Sequence, residues 1–111
     1  MSKRQPQMLV NDMVESCHKI LQYCGTITFD EFLADPKTID AVIRNFEIIG
    51  EAANRLPELF KDQHVEIDWH RIRGFRNRIV HDYMGIDYEI VWEIKSNYLH
   101  PLIQALYKLQ H

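Results

Sequence analysis

Residues 76–83 read Arg-Asn-Arg-Ile-Val-His-Asp-Tyr, and several of these side chains can act on a phosphate ester. A neutral imidazole exchanges protons near pH 7, so His81 can serve as a general acid or base. A guanidinium presents donors in a fork that matches phosphate oxygens, a role open to Arg76. On a continuous helix, Asn77 and His81 are four apart and stack on one face, where the amide can fix the imidazole. Arg76 and Tyr83, seven apart, share a neighbouring face two turns from each other. Arg76 and His81 diverge by about 140° on an ideal helix. One helix therefore aims them poorly into a common cleft. Local distortion near Gly85, or a second copy across a two-fold axis, would bring such groups together.

The surroundings are basic. Between His64 and His81 lie His70, Arg71, Arg73, Arg76 and Arg78, with Asp68 the sole acid after Glu66. Electrostatically this reads as an anion site, with phosphate the commonest candidate. The rival reading is a solvated helix face with a structural histidine at its end. The other histidines (His18, His64, His70, His100, His111) show neither i,i+4 pairing nor the Cys or carboxylate grouping of a zinc site. There is no glycine-rich phosphate loop and no nucleophile elbow. Phe46, Trp69 and Trp92 fall at helical spacing and read as core, not as a base-stacking platform.

The whole chain argues against bulk-charge binding. Thirteen Lys and Arg face sixteen Asp and Glu, a net charge of −3, whereas proteins that hold nucleic acid by charge alone are basic. Any anionic substrate must meet a local patch. At 111 residues, 46% hydrophobic and 26% charged, the sequence is that of one ordinary globular domain spanning 1–111. Cys17 and Cys24, roughly 10 Å apart on one helix, are beyond bridging distance. They read as reduced core residues, which implies a cytoplasmic protein. The basic N-terminus runs into amphipathic sequence broken by Asn11, Asp12 and Glu15, unlike a signal peptide. No apolar run approaches the length of a membrane span.

The elements that must position the motif are helical. The segment from about residue 7 to 23 carries a three-and-four repeat that begins at Leu9 and continues into Cys24 just beyond it, with Gly25 as C-cap. Thr28 and Glu31 form a capping box for a short helix, and Asp35-Pro36 opens the next. Residues 38–56 form a second stripe, in which Ala52 and Ala53 allow close approach of a neighbour and Pro57 ends or bends the helix. A polar connection, residues 61–64, leads to Asp68 as N-cap of a helix closed by Gly85. Asp87 caps a last helix kinked at Pro101. The expected fold is all-α, an antiparallel bundle of four long helices plus one short helix.

In residues 39–57 (IDAVIRNFEIIGEAANRLP), 69–87 (WHRIRGFRNRIVHDYMGID) and 91–102 (VWEIKSNYLHPL) the chain resembles the HepT-like branch of the HEPN superfamily. These proteins are the toxin half of HEPN/MNT toxin–antitoxin modules of the type VII kind, and the resemblance covers nearly the whole chain. It implies a metal-independent endoribonuclease that works as a homodimer and needs no cofactor. The family's motif Arg falls on Arg76, the polar residue after it on Asn77, the motif His on His81 and the motif Tyr on Tyr83. It further implies a partner, a small MNT-type nucleotidyltransferase that neutralises the toxin by transferring AMP onto Tyr83.

The leading reading is an RNA-cleaving toxin in which His81 moves the proton, Arg76 holds the phosphate and Asn77 orients His81. Arg73 and Arg78 add affinity for the RNA backbone. The competing readings are a non-catalytic partner subunit of a nucleotidyltransferase, and a helical dimer whose basic strip is only surface. A two-fold dimer suits a motif that carries a single histidine, because two copies supply separate acid and base. Light scattering should give twice the 13.3 kDa chain mass. A monomer that cleaves RNA at full rate would count against the dimer.

Overall fold

The computed structural model describes residues 5–81 and 85–110, and of His81 only the backbone. The described elements run α1 (Pro6–Cys24), α2 (Phe29–Leu33), α3 (Pro36–Arg55), α4 (Glu58–Asp62), α5 (Trp69–Arg73), α6 (Phe75–Ile79), β1 (Val80–His81), β2 (Gly85–Ile86), α7 (Tyr88–Asn97) and α8 (Leu99–Tyr107). The class is all-α, as the periodicity predicts. Two of the expected long helices are present as such, α1 and α3, and they pack along each other as the spine of the domain. Their apolar stripes are the predicted ones. Leu9, Val10, Met13, Cys17 and Ile20 on α1 meet Val42, Phe46, Ile49 and Ala53 on α3 within one continuous core. α8 closes the core against α1, while α5 and α6 lie on α3.

The local signals at helix ends act as their chemistry dictates. Gly25 adopts φ 50°, which L side chains rarely take, and its N–H bonds the Leu21 carbonyl at 2.9 Å. Thr28 and Glu31 form the reciprocal capping box at 2.9 and 3.1 Å. Asp35 accepts from the Thr38 N–H and hydroxyl, and these bonds hold its carboxyl below the usual range. Asp68 and Asp87 cap α5 and α7 through the N–H groups of Arg71 and Ile90.

The expected third and fourth long helices are each divided. Gly74 separates α5 from α6, and α6 ends at Ile79 instead of running on to Gly85. Val80 is extended, and the chain forms a two-residue antiparallel ladder with Val80 opposite Ile86 and His81 opposite Gly85. Gly85 therefore does not close a helix. It sits in β2 at φ 77°, the left-handed region that glycine enters at no steric cost. Near the C-terminus the expected kink is a break at Tyr98. Pro101 would clash with the carbonyl four residues earlier in a continuous helix. As the third residue of α8 it needs no N–H partner.

One side chain in the expected polar connection is structural. Pro57 has no N–H to meet the Ala53 carbonyl, the acceptor four residues before it. Lys61 of α4 fills that role: its buried Nζ donates to the Ala53 carbonyl at 3.2 Å and pairs with Glu58 at 3.2 Å. A cation at a helix C-terminus also complements the macrodipole. Lys61→Met should leave the Ala53 carbonyl without a donor and cost about 1–3 kcal/mol, read as a fall in the urea midpoint with an unchanged slope.

Candidate functional site

α6 is short, and its inward residues determine where the outward ones stand. Phe75 and Ile79, four apart, are fully buried. Phe75 meets Phe46 of α3 edge-on, with centroids 5.6 Å apart, and Tyr98 edge-on at 5.7 Å. Both contacts have the geometry that aromatic quadrupoles favour. With 75 and 79 turned inward, Arg76 and Asn77 face solvent and Arg78 is half-buried at the edge. The α5 backbone lies close to α3: a Cβ at Gly50 would stand 3.6 Å from the Ile72 carbonyl and 3.9 Å from that of Arg73, ordinary contact distances.

The basic cluster does not form one strip. Arg71 leaves toward the other side of α5 and stacks over the Tyr98 ring at 4.2 Å. Burial pushes the Tyr98 hydroxyl above its usual range, and the Arg71 charge opposes that shift. Arg73 and Arg76 instead line a shallow groove of about 260 Å³ with Glu47, Gly50, Glu51 and Asn54 of α3. Arg76 Nε lies 3.9 Å from Glu47 Oε2. Sequence reasoning missed these two carboxylates because they stand a helix away from the motif. Their i,i+4 spacing on α3 was visible, but nothing in it pointed toward Arg76.

The helical register expected between Asn77 and His81 is interrupted. Asn77 and His81 cannot stack at i,i+4, because α6 stops at Ile79 and His81 belongs to β1. The chain leaves the helix for a physical reason. The Asp87 N–H takes the Ile79 carbonyl at 2.7 Å, while the Asp87 carboxylate caps α7. One residue thus satisfies a helix-end acceptor and a helix-start donor on either side of the hairpin. The backbone of His81 is held by the ladder with Gly85. Its side chain, and the whole of Tyr83, lie outside the described residues, as does the first part of the basic N-terminus.

The cysteines behave as small apolar groups. Both are free and buried, and burial pushes the Cys17 thiol up to about 12, so it stays protonated and inert. Among the described residues, no three His, Cys, Asp or Glu side chains are grouped to hold a metal. No described helix is long and apolar enough to cross a membrane.

Comparison with known proteins places the chain. Residues 13–109 match the family described as ribonuclease HepT-like, and the chain belongs to that family. A Methanocaldococcus jannaschii protein named "Putative RNase MJ0127" is 40% identical over 97 residues, covering 87% of this chain and 80% of the relative. A Thermococcus cleftensis protein named "Probable ribonuclease HepT" is 38% identical over 91 residues, covering 82% and 83%. No solved structure matches the chain at a significant level.

Removing the buried anchor of the site should be costly. Phe75→Ala should destabilise the fold by about 3–5 kcal/mol, measured by thermal or urea unfolding. A loss below about 1 kcal/mol would show that the Phe46–Phe75–Tyr98 stack is not what holds α6.

Proposed function

We propose that this protein is a ribonuclease that cleaves RNA as a homodimer, without a metal ion, and serves as the toxin of a toxin–antitoxin module. The observation that carries the reading is membership of the ribonuclease HepT-like family across the block that holds Arg76, Asn77, His81 and Tyr83. It is supported by an exposed Arg76 that lines, together with Arg73, one groove of about 260 Å³.

In the proposed reaction His81 removes the proton of a ribose 2′-hydroxyl, and the 2′-oxygen attacks the adjacent phosphorus. The bond to the 5′-oxygen breaks, and that oxygen takes a proton from an imidazolium. The products are a cyclic phosphate and a 5′-hydroxyl. Two protomers supply two imidazoles, so one can be base while the other is acid. Arg76 offsets charge that grows on the phosphoryl oxygens, the kind of electrostatic term that is often the largest single contribution. Asn77, exposed next to Arg76, keeps its proposed part in orienting His81, without the i,i+4 stacking of a continuous helix. Arg73 extends the phosphate contacts, and Arg78 adds backbone affinity from the groove's edge.

Tyr83 is the proposed point of control. A nucleotidyltransferase partner would transfer AMP from ATP to its hydroxyl, releasing pyrophosphate. The attached phosphodiester adds about one negative charge and a purine close in sequence to Arg76 and His81. It would compete for the donors that an RNA phosphate needs.

The test is a cleavage assay on labelled RNA in EDTA, with and without the partner enzyme. His81→Ala and Arg76→Ala should each lose roughly a hundred- to ten-thousand-fold in rate with unchanged circular dichroism. Tyr83→Phe should stay active and escape neutralisation, while the wild type gains whole AMP units that map to Tyr83. Near-normal cleavage by His81→Ala would overturn the catalytic assignment. An inactive wild type that still co-purifies with a nucleotidyltransferase would point to a non-catalytic partner subunit.

A further inference from the structure

Glu47 is the side chain that the proposed chemistry leaves unused and that the fold nonetheless brings to Arg76. The two residues are 29 positions apart in sequence, on α3 and α6, and meet only because Phe75 pins α6 against Phe46 of the same helix. Arg76 is 62% exposed and Glu47 35%. A pair this open contributes little to stability, because water and salt screen it. Its value must lie elsewhere.

The geometry of the contact suggests where. The carboxylate comes nearest the guanidinium on its Nε side, at 3.9 Å, an ion pair longer than a hydrogen bond. A guanidinium carries five N–H donors. A charge on the Nε side attracts the group without requiring the Nη fork, the part that matches two phosphate oxygens of a ligand. An arginine side chain alone samples many rotamers, and holding it in one reduces the entropy that substrate binding must otherwise remove. We propose that Glu47 is a positioning residue that orients Arg76 toward the scissile phosphate. The inference rests on the ribonuclease reading of Arg76.

The opposite role is physically possible and makes a different prediction. A carboxylate beside a phosphate-binding arginine also repels the phosphate, so Glu47 could act only as a competing counter-charge. The two roles separate on the amide variant. Glu47→Gln keeps an oxygen able to accept from Arg76 Nε but removes the charge.

The experiment compares wild type, Glu47→Gln and Glu47→Ala in three readouts. Steady-state cleavage gives kcat and KM. Solvent exchange of the Arg76 Nε–H, followed by NMR in ¹⁵N-arginine-labelled protein and assigned through Arg76→Lys, reports orientation without requiring activity. Thermal unfolding controls for structure. For positioning, Glu47→Ala should lower kcat about ten- to a hundredfold, the size of effect that misplacing a reacting group produces. KM should change little, Nε–H exchange should accelerate, and the melting temperature should hold. Glu47→Gln should recover most of kcat and of the exchange protection. Equal gains in RNA affinity and rate for both variants would overturn the proposal in favour of a counter-charge. Unchanged kcat and unchanged exchange in Glu47→Ala would overturn it outright. A wild type that cleaves no RNA would sink the ribonuclease reading alone, and the exchange measurement would still decide whether Glu47 holds Arg76.

Discussion

The placement of Arg76 and Asn77 in this protein depends on one buried ring. Phe75 begins α6 directly after the Gly74 break and is gripped edge-on by Phe46 on one side and Tyr98 on the other. The three rings tie α3, α6 and the α7–α8 junction at a single point. A five-residue helix is far too short to be stable by its own hydrogen bonds, so α6 exists because this contact and Ile79 bury its inner face. Arg76 and Asn77 are the outer face of the same turn. Their exposure is the direct consequence of where Phe75 and Ile79 point.

The second constraint is backbone hydrogen bonding around the hairpin. A helix that stops inside a folded domain leaves carbonyls that need donors. At α3 the missing donor of Pro57 is replaced by the Lys61 ammonium. At α6 the Ile79 carbonyl is taken by the Asp87 N–H. Each solution recruits a residue from a later element, so satisfying one helix end also anchors the start of another. The hairpin that carries His81 is positioned in this way, between a helix end and a helix start that share Asp87.

The charge distribution is a consequence of these placements. In sequence, residues 70–78 hold four arginines within nine positions and read as one basic strip. In space the strip divides: Arg71 stacks on Tyr98, while Arg73 and Arg76 face Glu47 and Glu51 across the groove. A net charge of −3 is thus compatible with anion binding at a restricted place. A groove of mixed sign disfavours indiscriminate polyanion binding and favours a ligand whose phosphate reaches the arginines in a defined pose.

The helical class, the core stripes of α1 and α3, and most helix ends were legible in the chain alone. These rest on local physics: period-3.6 burial, capping by Thr28, Asp35, Asp68 and Asp87, and the positive φ of Gly25. The resemblance carried by residues 39–57, 69–87 and 91–102 also identified the family and the residues to suspect. What the sequence could not express is where a helix ends when the competing partner is distant. Ile79 and Val80 continue a helical stripe as well as they begin a strand, and the choice was made by the Asp87 N–H and the ladder to Gly85. The same holds for the break at Tyr98, whose ring is committed to Phe75 and Arg71. Likewise the Lys61 cap and the Glu47–Arg76 pair join residues whose separation is set by packing and not by helical spacing. Hydrogen bonds and charges act on distance in space, and only the closed core brings those atoms within reach.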